Sequence, residues 1–208
     1  MTPEQAFAEL PLVAIIRGVK PDEVVAIGEA LYAEGVRLVE VPLNSPDPLV
    51  SIRRLSEHFG ERMVCGGGTL LTVKDAEGVA ASGGRIAVSP NTDVEVITRA
   101  LALGMTPMPG FGSCSEAFTA LKAGARYLKL FPAVTYGTAH LKQLKAVLPK
   151  EAVIAPVGGV GPAEIAAWSA AGAGGFGIGG EIYRPGESPE VVSGKARALV
   201  AALRAVRP

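Results

Sequence analysis

Three charged residues stand inside otherwise apolar stretches: Arg17 in VAIIRG, Glu40 in LVEVP and Lys129 in YLKLFP. A buried charge without a partner is costly, so each needs a reason to be there. A lysine in an apolar cavity is driven toward its neutral amine, because desolvation disfavours the ammonium form, and a nearby arginine pushes the same way. A neutral amine adds to a ketone and forms a Schiff base. A carboxylate within reach can then move protons. Lys129 as nucleophile and Glu40 as acid–base group, with no metal, describe a Schiff-base lyase site. The alternative is a structural Glu40–Lys129 ion pair, since charged networks also perturb such groups.

Glycine turns supply bare amides for a small anionic substrate. Gly66-Gly67-Gly68-Thr69 closes one apolar run, and Thr72 reads as a helix cap, which leaves the Thr69 hydroxyl for a ligand. Val157-Gly158-Gly159-Val160 and Gly177-Ile178-Gly179-Gly180 close two later runs. In a barrel of strand–helix units, turns after strands seven and eight, beside a short helix N-terminus, commonly hold phosphate. A tight turn explains any one of these runs on its own. Chance placement in a chain with 26 glycines is the other reading of the pair.

These residues must be carried by regular elements. Short apolar, β-branched runs at 12–17, 37–41, 62–66, 85–89, 106–108, 126–130, 152–157 and 174–178 read as eight strands. Their near-continuous apolar character fits parallel strands covered on both faces. Side chains alternate along a strand. Placing Lys129 with Tyr127, and Glu40 with Leu38, toward the interior leaves Leu128, Leu130, Val39 and Val41 for the helices. Arg37, Arg62, Arg85 and Arg126 begin strands at the opposite end, where they are read as solvating that face. Helix starts are read at Thr2, at Ser45 before Pro46, at Thr72 with Asp75, at Thr92 with Glu95, at Ser113 with Glu116, and at Gly161-Pro162. Gly35, Gly83 and Gly124 stand where helices stop. A first helix over Pro3–Glu9 precedes strand one, and a last one runs over about 189–205. The expected fold is α/β, a single-domain (β/α)₈ TIM barrel over 1–208 with an extra N-terminal helix. An open doubly wound sheet fits less well, for eight equal units leave no switch point.

Composition bounds the partners. The 208 residues carry 20 basic and 20 acidic side chains, so the electrostatic footprint of a nucleic-acid binder is missing. With 49% hydrophobic residues the chain is not a disordered one. No uncharged stretch exceeds 16 residues; 165–180, one of two of that length, is glycine-rich and too short to span a membrane. The opening MTPEQAFAEL has acids and no apolar core, and so does not read as a signal peptide. Cys65 and Cys114 make no disulfide framework and read as two buried thiols in a reducing cytoplasm. His58 and His140, both on helices, have no second ligand at metal spacing. Asn and Gln are scarce, a pattern of thermophile proteins or of a GC-rich genome.

The motifs AIIRG, VEVPLNSP, GGGTLL, VSPN, EAFTALKAGA, LKLFP, VGGV and EIYRPG, spread over nearly the whole chain, resemble one family. It comprises the class I aldolases that cleave 2-keto-3-deoxy-6-phospho sugar acids (the KDPG and KDPGal aldolases). PLNSP, VSPN and the valine before Gly158-Gly159 are similar to the galactonate branch; the gluconate branch typically has threonine there. The resemblance implies that Lys129 forms the Schiff base with the C2 ketone and that Glu40 acts as acid–base group through a water. It implies that Arg17 and Thr69 hold the carboxylate, that Pro90 and Phe131 shape the pocket at the imine, and that Val157 bears on the C4 epimer. Gly158, Gly159, Gly179 and Gly180 are implied to cradle the phosphate. The implied molecules are a phosphorylated 2-keto-3-deoxy sugar acid, pyruvate and glyceraldehyde 3-phosphate, with no cofactor, in a cytoplasmic homotrimer. The chain departs from the family where Gly180 replaces a frequent serine and Glu181 follows; Glu181 is expected to point away from the phosphate. Thr135 is a weak substitute for serines found in relatives. Two rival functions are a phosphate-binding sugar isomerase or epimerase on the same barrel, and an inert barrel used for binding or assembly.

Overall fold

The computed structural model describes residues 1–206. Among them the strands are β1 (Leu12–Ile15), β2 (Leu38–Pro42), β3 (Val64–Gly68), β4 (Ile86–Val88), β5 (Thr106–Met108), β6 (Gly110–Phe111), β7 (Tyr127–Leu130), β8 (Val153–Pro156) and β9 (Phe176–Ile178). The helices are α1 (Pro3–Glu9), α2 (Val24–Ala33), α3 (Pro48–Phe59), α4 (Val73–Ala81), α5 (Val94–Ala102), α6 (Cys114–Lys122), α7 (Ala133–Lys145), α8 (Ile165–Ala170) and α9 (Pro189–Val206). The strands form two curled parallel sheets, in the orders β5-β4-β3-β2-β1-β9 and β6-β7-β8.

Nine strands appear where eight were expected because the fifth is interrupted. Pro109 separates β5 from β6, and a proline cannot donate to a ladder. Its carbonyl still accepts from Lys129 N–H at 2.9 Å. At the other edge a parallel bridge joins Val157 to Gly177, and Gly174 N–H donates to Ile154 O at 2.9 Å. Main-chain pairing thus continues past β6 to Pro109 at one edge, and a single bridge reaches from the end of β8 to β9 at the other.

The strands bury both faces. Val39, Val41, Leu128 and Leu130 belong to the large cluster under the helices, whereas Leu38, Val64, Ile86, Met108 and Tyr127 form a second, interior cluster. The alternation read from the sequence therefore has the right phase. Each fully buried apolar side chain of this size contributes roughly 1.5–3 kcal/mol. Helix α1, capped by Thr2 with Gln5, adds Ala6 and Phe7 to the interior cluster. The Phe7 ring lies 4.5 Å from Tyr127.

Several local expectations are corrected. Helix α3 starts at Pro48 with Asp47 before it, so Ser45 is not its cap; the Ser45 hydroxyl accepts from Gly18 N–H at 2.9 Å. Asp93, not Thr92, caps α5, and the Thr92 hydroxyl donates to Gly110 O. A turn follows Gly161-Pro162, and α8 begins only at Ile165. The boxes Thr72–Asp75 and Ser113–Glu116 are formed as read. Arg37, Arg62, Arg85 and Arg126 precede the strands rather than start them. Arg85 does more than solvate: it donates to the carbonyls of Met1, Gly60 and Met63. Arg37 pairs with Glu9 at 2.8 Å. Cys65 is buried, but Cys114, on the first turn of α6, is exposed.

Candidate active site

The strands end around a cavity of about 470 Å³. Its walls come from the chain just beyond β1 (Ile15, Arg17, Gly18), the end of β7 (Lys129, Phe131), the turn after β8 (Val157 to Val160) and the segment from Gly177 to Pro185. All lie at the C-terminal ends of parallel strands, the usual place for ligands in such sheets. Of the residues singled out in the sequence, Arg17, Lys129, Phe131, Val157, Gly158, Gly159, Gly179 and Gly180 meet here.

Lys129 and Glu40 are both buried, at 6% and 1% exposure. Beneath the cavity lies a void of about 10 Å³ lined by Glu40, Lys129, Val13, Ile15, Val88, Met108, Ala155, Val157 and Gly177. That is about the space one water needs. Lys129 borders both spaces, and Glu40 only the inner one. Among the described residues no ion pair joins them, and Glu40 Oε2 has no hydrogen-bond partner. The purely structural ion pair is therefore not formed.

Burial dominates the electrostatics. Desolvation raises the Glu40 carboxyl to about 7, against the pull of Lys129 and Arg17. Desolvation also lowers the Lys129 ammonium; Glu40 opposes this, and Arg17 reinforces it. The Phe131 ring lies 4.7 Å from Lys129 Nζ and partly offsets the loss of water around the cation. Both groups are thus held nearer neutrality than their free counterparts, which suits an amine nucleophile and a proton carrier. Gly68 is required by close approach: a Cβ there would overlap the Glu40 carboxylate.

Arg17 lies in the turn after β1 rather than at a strand end. Its Nη1 donates to Asn44 Oδ1, and its Nη2 lies 3.5 Å from Thr69 Oγ1. Thr69 is therefore not free of protein partners, and it adopts φ +60°, which is unusual for a β-branched residue. Pro90 lines neither space; its carbonyl lies against Gly110. Glu181 does not leave the cavity as expected: it lines the rim and pairs with Arg184 at 3.7 Å. Gly158 and Gly159 adopt φ +95° and +73°. Among the described residues, Gly159, Gly179 and Gly180 N–H donate to no main-chain carbonyl.

The sequence reading missed Asn44 and Arg184. Both stand in quoted motifs, PLNSP and EIYRPG, but on turns where no periodicity says which way a side chain points. Among the described residues no cluster of His, Cys, Asp and Glu is placed to hold a metal ion, and no helix is long and apolar enough to cross a membrane.

The family model for KDPG and KHG aldolases matches residues 4–188. The chain belongs to this aldolase family. It is similar to the 2-dehydro-3-deoxy-6-phosphogalactonate aldolase of Escherichia coli (strain K12), with 43% identity over 196 residues, 94% of this chain and 96% of that protein. It is similar to a solved structure described as native KDPGal, at TM-score 0.94 and 43% identity, covering 95% of this chain and 96% of the other. It also resembles a KDPG aldolase from Legionella pneumophila solved with pyruvate captured at low pH as a covalent carbinolamine intermediate. There the TM-score is 0.80 and the identity 25%, over 100% of this chain and 99% of the other. Membership of the aldolase family makes the protein a lyase-type enzyme rather than an inert barrel.

Proposed function

We propose that the protein is a class I, metal-independent aldolase that cleaves 2-dehydro-3-deoxy-6-phosphogalactonate to pyruvate and D-glyceraldehyde 3-phosphate. The observation that carries this is Lys129, buried at the floor of the cavity with its ammonium form disfavoured and Glu40 beside it. The Lys129 amine adds to the C2 ketone, water leaves, and the protonated imine becomes an electron sink. A base takes the C4 hydroxyl proton, the C3–C4 bond breaks, and glyceraldehyde 3-phosphate departs. Glu40, through a water in the inner void, delivers a proton to C3 of the enamine. Hydrolysis of the imine releases pyruvate and restores the amine. Arg17 and Thr69 hold the carboxylate, Phe131 packs beside the imine, and the glycine turns receive the phosphate.

The assay is release of pyruvate from the two C4-epimeric phosphorylated acids, compared by kcat/KM. Faster turnover of the galactonate-derived acid supports the assignment, and faster turnover of the gluconate-derived acid contradicts it. Val157 lines both spaces and offers no hydroxyl to C4. Val157→Thr raises the relative kcat/KM for the gluconate-derived acid by roughly 10-fold, the worth of about one hydrogen bond; an unchanged epimer ratio removes Val157 from the account. Asn44 orients Arg17. Asn44→Ala raises KM roughly 3- to 10-fold at nearly constant kcat, as expected when one uniform binding contact is lost. An unchanged KM shows that Arg17 needs no such support.

The two linked sheets are further proposed to be one eight-stranded (β/α)₈ barrel preceded by α1. The Val157–Gly177 bridge and the Lys129–Pro109 hydrogen bond support closure. We read the chain as one domain, of which 207–208 lie outside the described residues, working as a cytoplasmic homotrimer. The assembly is tested by its mass in solution.

A further inference from the structure

We infer that Arg184 binds the substrate phosphate and shields it from Glu181, an inference that rests on the function proposed above. Four charged side chains line the cavity: Arg17, Lys129, Glu181 and Arg184. Arg17 and Lys129 serve the carboxylate and ketone, so Arg184 is the cation left for the end formed by Gly158, Gly159, Gly179 and Gly180. Its main chain is held from several sides. Arg184 N–H donates to Glu187 Oε2 at 2.9 Å, and Glu187 is held by Lys195 Nζ at 2.5 Å. The neighbouring Tyr183 hydroxyl donates to Glu23 Oε1 at 2.9 Å. Pro185 packs on Gly18, where a Cβ would come within 2.6 Å of its ring.

The guanidinium, by contrast, lies at the mouth. Nε donates to Gly180 O at 3.1 Å, and Nη2 is 3.7 Å from Glu181 Oε1, with both side chains more than half exposed. An exposed pair of this kind is worth little by itself and can be exchanged for a better partner. A phosphate is that partner, because the planar guanidinium presents two parallel N–H groups to its oxygens. Gly180 has no side chain to offer, so Arg184 supplies the side-chain contact beside bare amides. Glu181 has the opposite effect, being a carboxylate at the same rim.

The test compares wild type, Arg184→Gln, Arg184→Lys and Glu181→Gln on the phosphorylated and unphosphorylated 2-keto-3-deoxy sugar acid. Calorimetric titration with inorganic phosphate accompanies the kinetics. Arg184→Gln lowers kcat/KM for the phosphorylated acid roughly 10- to 100-fold, as for a lost charge-assisted contact, and spares the unphosphorylated one. Arg184→Lys recovers part of the loss. Glu181→Gln acts with the opposite sign, raising kcat/KM for the phosphorylated acid and tightening phosphate. A rim ion pair with only a structural role moves both variants in one direction and both substrates alike, and that result overturns the inference. If wild type releases no pyruvate from either acid, the proposed function fails. Phosphate titration then still decides the role of Arg184: weaker binding in Arg184→Gln supports it, and equal binding overturns it.

Discussion

Lys129→Ala lowers turnover by about 10⁴-fold or more, because the covalent route has no substitute for its nucleophile and only binding effects remain. Lys129→Arg fails similarly, for a guanidinium keeps its proton at any working pH. The loss is one of chemistry and not of folding. Lys129 makes a ring contact with Phe131 and no ion pair among the described residues, so its removal leaves no partner stranded in a bond. Its one electrostatic legacy is on Glu40, whose carboxyl rises further once the cation is gone. Kinetics with circular dichroism on the same sample check this: near-normal turnover of Lys129→Ala contradicts the account.

The second large effect is at Glu40. Glu40→Gln lowers kcat by about 10²–10⁴-fold, the usual worth of a positioned proton carrier. It leaves the Lys129 imine able to form, so pyruvate trapping persists while turnover falls. The substitution also changes stability, with a defined sign. Burial holds the Glu40 carboxyl at about 7 in the folded chain, above its ordinary 4.5. The folded state therefore binds this proton more tightly than the unfolded one. Its contribution is complete below pH 4.5 and is lost as the pH rises through 7, a change of roughly 3 kcal/mol. Glutamine has no charge to desolvate. Glu40→Gln therefore matches wild type in Tm near pH 4 and exceeds it by roughly 5–10 °C at pH 8. Lys129 acts in the opposite sense, its lowered ammonium disfavouring the folded state as pH falls; in Glu40→Gln it also loses the attraction of Glu40, so the difference between the two proteins reports the coupled pair. A Tm gap independent of pH contradicts a buried, ionising Glu40.

The phase of the strands was legible because alternation leaves one arrangement that keeps Glu40 and Lys129 off the helix layer, and both do face inward with Leu38 and Tyr127. The glycine turns were legible for a similar reason, since few other residues bring bare amides to a strand end. Helix starts were less so: Ser45 and Thr92 carry cap-forming hydroxyls, yet Asp47 and Asp93 precede α3 and α5. The hydroxyls bind main chain elsewhere, at Gly18 and Gly110, which are tertiary neighbours. The break at Pro109 follows from a missing N–H, a signal present in TPMPGF but outweighed by the apolar run. Cys114 was read as buried from residue type alone, although it stands on the first turn of a helix whose inner face is Ala117 and Ala120. Asn44 and Arg184 escaped because turn residues obey no period, and only three-dimensional neighbours reveal them.

Incubation with pyruvate, reduction with borohydride and mass mapping of the adduct test Lys129 as the Schiff-base nucleophile. The expected result is a single reduced pyruvate adduct on Lys129, kept in Glu40→Gln and absent from Lys129→Ala. A folded protein that gives no adduct, or an adduct on another lysine, contradicts it.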